Sequence, residues 1–82
     1  MNELITEKLK SLSMDSEILE FESVVYEEGN CLNVIPCLFV PSLRHEFIIE
    51  MNAKFIYCYK SKSALIKRVL LLVEKYNLKL RD

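Results

Sequence analysis

The chain is expected to fold as an α+β protein, with an N-terminal helix and a C-terminal helix packed on one face of a three- or four-stranded antiparallel sheet. Three observations lead there. Apolar residues recur at helical spacing near both ends of the chain and at period two between them. One glycine and two prolines in 82 residues leave little material for long loops, so regular elements joined by short turns are expected. Each helix carries an apolar stripe that must be buried, and one face of a sheet can take both.

Residues 2–13 predict the first helix. Asn2 can cap it, and Glu3 lies in the first turn, where the helix dipole favours an acid. Leu4, Ile5, Leu9 and Leu12 fall on one stripe, while Glu3, Glu7, Lys8 and Lys10 face water. Ser11, Ser13, Asp15 and Ser16 make a polar link. Residues 17–28 change period: Leu19, Phe21, Ser23 and Val25 alternate with Glu20, Glu22, Val24 and Tyr26, which predicts a strand with one largely acidic face. Glu28-Gly29-Asn30 is the turn signal that follows.

Cys31 to Val40 is nearly all apolar, as suits a strand covered on both faces or one whose second face meets a partner. Pro36 has no N–H to give to a ladder, so it argues for an edge position or a bulge. Pro41-Ser42 ends the run. From His45 to Tyr59 the odd positions after His45 are all apolar. Two strands, about 45–51 and 54–60, with a turn at Asn52-Ala53, fit better than one very long strand. The alternative is a short helix over 43–52, since Leu43, Phe47 and Met51 are also four apart. Ser61 or Ser63 caps the last helix, which runs to about Tyr76 and ends at Asn77. Leu65, Ile66, Val69, Leu70, Leu72, Val73 and Tyr76 form its apolar arc, with Lys67, Arg68, Glu74 and Lys75 opposite. Leu71 is the one large apolar residue on the charged side.

Length and composition narrow the class of protein. Eighty-two residues predict one domain spanning 1–82, and 51% apolar with 28% charged residues is a globular composition. The charged start of the chain does not read as a signal peptide, and the apolar run Val69–Val73 is far too short to span a membrane, so neither secretion nor a membrane span is expected. A cytoplasmic protein with reduced thiols at Cys31, Cys37 and Cys58 is expected. The net charge of −1 hides a strong polarity. Residues 1–50 hold ten acids and three bases, and residues 51–82 hold two acids and eight bases.

Chemistry-bearing patterns are sparse. Paired ligands such as C-x₂-C, which with His45 could make a metal site, are missing, and Cys31, Cys37 and Cys58 read as small buried hydrophobes, so no metal is expected. No local signature surrounds a Cys/His nucleophilic pair, and a chain with one glycine cannot build a phosphate loop. No catalysis and no cofactor are therefore expected.

Two charged groups and one apolar feature remain as candidate surfaces. Glu17, Glu20, Glu22, Glu27 and Glu28 would attract a basic partner, would form a solvated face that keeps an exposed strand from aggregating, or would neutralise the chain's own basic half. Lys60, Lys62, Lys67 and Arg68 gather around the start of the last helix, near Phe55, Tyr57 and Tyr59, where a phosphate could bind. The run 31–40 and Leu71 supply more apolar surface than a small core needs, which suits a homodimer or a larger partner.

The order helix, three strands, helix is similar to that of the double-stranded-RNA-binding domains, whose last helix opens with a lysine-rich Ser-Lys-Lys-x-Ala-Lys pattern. Here Lys60-Ser61-Lys62-Ser63-Ala64-Leu65 keeps a lysine and the alanine, with Leu65 in the place of a lysine. Gly29-Asn30-Cys31-Leu32 stands where that family has a Gly-Pro-x-His loop. The resemblance implies a nucleic-acid-binding module that uses the basic last helix. The residues themselves point first to a small regulator or inhibitor that binds and occludes a partner protein.

Overall fold

A computed structural model describes residues 3–13, 18–39 and 44–81. The elements run α1 (Glu3–Lys10), β1 (Leu19–Ser23), a 3₁₀ turn (Tyr26–Glu28), β2 (Cys31–Phe39), β3 (Arg44–Met51), β4 (Lys54–Tyr59), α2 (Lys62–Tyr76) and β5 (Leu78–Leu80). All strand pairs are antiparallel, in the order β4-β3-β2-β1-β5. The α+β class and the helix-on-sheet packing are as expected, and the sheet has five strands. The proposed cap at Asn2, the link residues Asp15 and Ser16, Glu17, and the strand end at Pro41-Ser42 lie outside the described residues.

One face of the sheet carries the core. Phe21 of β1, Leu32 and Val34 of β2, and Phe47, Ile49 and Met51 of β3 are buried against Ile5, Leu9 and Leu12 from α1 and Leu65, Val69 and Val73 from α2. These side chains stand on one face because cross-strand partners share a face, and the register pairs Phe21 with Leu32, Val34 with Ile49 and Leu32 with Met51. Burying each large apolar side chain contributes about 1.5–3 kcal/mol. The first helix is shorter than 2–13. Leu4 lies off its buried stripe and is 64% exposed. Ser11 closes the helix by donating its hydroxyl to the Lys8 carbonyl at 2.9 Å.

The predicted strand over 17–28 is corrected. β1 ends at Ser23, and Val24 and Val25 are exposed in the bend before the 3₁₀ turn, so Glu27 and Glu28 sit on that turn and not on a strand. On the β5 side the ladder makes its last bond here, Val24 N–H donating to the Asn77 carbonyl at 2.9 Å, one step beyond the Ser23↔Leu78 pair. The buried Ser23 hydroxyl accepts from the Asn30 N–H at 2.8 Å, which pins the reversal. Gly29 supplies the left-handed backbone there, at φ 66°.

β2 is an interior strand, not an edge. Pairing with β1 ends at Leu19↔Val34, however, so Pro36 pairs only towards β3, opposite Phe47. The helical alternative over 43–52 is overturned, because β3 pairs with β2 from Arg44 to Met51 and with β4 from Phe47 to Met51. Asn52 and Ala53, at φ 51° and 66°, make the two-residue hairpin, as a type I′ turn requires. Asn52 also locks the hairpin to β2: its Oδ1 accepts from the Cys31 N–H and its own N–H donates to the Cys31 carbonyl, both at 2.8 Å.

α2 begins where Ser61 accepts from the Ala64 N–H at 3.5 Å and ends at Asn77, whose left-handed backbone (φ 50°) turns the chain directly into β5. β5 then pairs with β1, setting Phe21 against Leu80 and Ser23 against Leu78.

Candidate functional site

The acidic set is dispersed by the fold. Glu20 and Glu22 lie on the helix-free face of β1, and the basic C-terminus comes back to meet them. Lys79 registers opposite Glu22, and Arg81 Nη1 lies 3.0 Å from Glu20 Oε2. Glu27 and Glu28 stand exposed on the 3₁₀ turn beside Tyr26. Lys79 of β5 and Arg81 just after it thus set basic side chains against Glu22 and Glu20.

The basic set gathers at the other end of the sheet, on α2 and the end strand β4. Lys62 is engaged within the chain at its surface: its ammonium donates to the Lys10 carbonyl at 2.6 Å, placing a cation at the C-terminus of α1. Arg68 does not face open water as the helical pattern predicts. Its guanidinium carbon lies 4.2 Å from the Tyr57 ring centroid, and its Nε donates to the Tyr59 hydroxyl at 3.2 Å. The hydrogen bond to Tyr59 holds the Arg68 pKa above its ordinary value, outweighing partial desolvation, with the two tyrosines adding to the effect. Tyr57 and Tyr59 are themselves adjacent, with ring centroids 5.8 Å apart.

A β-bulge explains why these tyrosines can meet Arg68. The β3–β4 register passes from Ile49↔Tyr57 to Glu50↔Phe55, leaving Ile56 as an extra residue. Tyr57 thereby shares the helix-covered face with Ile49, and Phe55 shares the opposite face with Glu50. The unbroken alternation of odd positions conceals this switch. Phe55 is 61% exposed, and Leu71 is 53% exposed one helical turn beyond Arg68. Tyr59, Ala64, Lys67, Arg68 and Leu71 line a shallow depression of about 280 Å³ between β4 and α2. Lys60 and Lys67 are exposed at its margin.

Two residue groups that the sequence kept apart, Arg68 with its lysines and Leu71, are one surface in the structure. Tyr57 and Tyr59 complete it. The sequence signal for them was the aromatic content of 55–59 beside a run free of acids, since no Asp or Glu occurs from Met51 to Val73.

Among the described residues, no helix covers the second face of the sheet. Ile35 and Ile48 are half-buried there, and Asn33 Nδ2 donates to Glu50 Oε1 at 3.1 Å. Among the described residues, no group of three or more His, Cys, Asp or Glu side chains is placed to hold a metal ion, and no helix is long and apolar enough to cross a membrane.

Comparison of the chain with protein-family models, with curated proteins and with solved structures finds no match. The resemblance to double-stranded-RNA-binding domains meets two differences. The sheet here has five strands, and Leu65, in the place of that family's lysine, is fully buried in the core.

Proposed function

We propose that the protein is a small non-catalytic interaction module that binds a partner protein through the β4–α2 surface and occludes it. The observation that carries this reading is the Tyr57–Arg68–Tyr59 cluster beside exposed Leu71. Tyrosine and arginine dominate the energetics of protein interfaces. An arginine already stacked and hydrogen-bonded in the free protein loses little rotamer freedom when a partner arrives. Leu71 adds apolar area next to it that the core does not use.

The test is capture from a lysate of source cells by the immobilised protein, compared with an Arg68→Ala/Leu71→Glu variant. Proteins captured by the wild type should be lost from the variant, with the thermal unfolding midpoint lowered only modestly, because Leu71 is exposed and Arg68 is half-buried outside the core. An identical set of captured proteins would remove this surface from consideration.

A second reading, nucleic-acid binding through Lys60, Lys62, Lys67 and Arg68, is favoured by the acid-free run Met51–Val73. It ranks lower because Lys62 and Arg68 are already engaged internally. It predicts binding to labelled duplex RNA that falls steeply with salt as counterions are released.

A further inference from the structure

We infer that the outer edge of β4 takes up an extended, acidic peptide segment of the partner as a sixth strand. The inference rests on the interaction reading above and names the chemistry of its occupant.

β4 is the end strand of the sheet, and among the described residues no strand lies beyond it. An end strand presents backbone donors and acceptors to an incoming chain, and alternate side chains of that chain then read the two flanking faces. The bulge equips both faces. Phe55 stands on the helix-free side and Tyr57 on the helix-covered side, where the depression between Tyr59, Lys67, Arg68 and Leu71 can receive a side chain. The opposite end strand, β5, has three residues and offers much less.

Charge selects the occupant. Lys54 and Lys60 flank β4, Lys67 and Arg68 overlook it from α2, and no acid occurs between Met51 and Val73. Among the described residues, the acid that registers with β4 is Glu50, opposite Phe55, and its carboxylate already accepts from Asn33. An acidic segment therefore meets unopposed cations. A second copy of this chain does not fit, because pairing two β4 edges would set one acid-free basic surface beside another. A nucleic acid would match the charge but not the row of strand hydrogen-bonding groups or the apolar Phe55 and Leu71.

The probe is a labelled peptide of alternating glutamate and valine, about as long as a typical strand of 5–6 residues, followed by fluorescence anisotropy. It should bind the wild type and should bind Lys67→Glu about tenfold or more weakly, since reversing the charge adds like-charge repulsion. The same peptide N-methylated at alternate backbone nitrogens should not bind. Failure of the acidic peptide to bind, equal binding by the N-methylated form, or equal binding to Lys67→Glu would each overturn the inference. Binding of single-stranded RNA in place of the peptide would overturn it in favour of nucleic acid. If the peptide fails while protein capture still depends on Arg68 and Leu71, the acidic-strand occupant is wrong and the interaction module stands.

Discussion

Among the described residues, Gly29, Asn52, Ala53 and Asn77 hold left-handed backbone, and their side chains decide what that costs. Glycine has no Cβ penalty, and asparagine is among the residues that visit this region with local hydrogen-bond support. Asn52 shows that support directly, bonding to Cys31 and, through Nδ2, to Asn30 Oδ1 at 3.1 Å. Ala53 has neither advantage. Ala53→Gly should raise stability by about 1 kcal/mol, the relief of left-handed strain being partly offset by a more flexible unfolded chain. Urea denaturation would read this as a higher midpoint at unchanged slope, and a lower midpoint would mean that the turn tolerates alanine without strain. Arg68 illustrates what sequence reading misses at this scale. Its helical position marks it as solvated, yet a planar guanidinium gains more from lying on Tyr57 than from extending into water. Its raised pKa means that whatever the cation contributes is present at any pH below the unfolded arginine value and is lost only above it. Its contacts therefore carry no switch near neutral pH.

Elements with strong periodicity were legible: α2 with its serine cap, and the β3–β4 hairpin with its Asn52-Ala53 turn. Three features were not, each for a physical reason. β1 ends at Ser23 while the apolar alternation continues to Val25, because both neighbouring chains turn there, at Gly29 and at Asn77, and side-chain period does not show where a partner strand stops. The bulge at Ile56 exchanges faces without altering the pattern of odd positions. β5 is three residues long and is held by its neighbour more than by its own propensity. Its energetic role can be separated from its charge. Leu78 is buried in the core cluster that also holds Phe21 and Val73, whereas the Arg81–Glu20 pair is half exposed on both sides. Leu78→Ala should cost about 2–4 kcal/mol, as large-to-small core changes do, while Arg81→Ala should cost under about 1 kcal/mol. Chemical denaturation of the two variants distinguishes them. Equal losses would mean that the ion pair, not burial, holds the C-terminal strand.

Across the whole molecule the fold converts a charge polarity along the chain into a polarity in space. Lys79 and Arg81 are withdrawn from the basic half to meet Glu22 and Glu20, so the β1–β5 pair is close to neutral, whereas β4 and the first turns of α2 lie in a run that holds no acid, with Lys62 and Arg68 bonded to a carbonyl and a hydroxyl instead. This was only half legible in the sequence, where the basic residues of 51–82 read as one group until β5 divided them. The division bears on self-association, for which the surplus apolar surface and the exposed acidic turn at Glu27 and Glu28 make an opening. Contact between that turn and the β4–α2 surface of another copy would be head-to-tail and open-ended, not a closed dimer. It would also rest on exposed charges, which are screened beyond about 8 Å at physiological ionic strength and beyond about 30 Å at 10 mM salt. Light scattering after size exclusion should therefore give the monomer mass of 9.6 kDa at physiological salt. Any growth at low salt should depend on protein concentration and reverse on adding salt. A salt-independent dimer would contradict this and would direct attention to the helix-free face. There Ile35 and Ile48 lie opposite one another in the centre of the sheet, and burial of apolar area, which salt does not weaken, would hold two copies together.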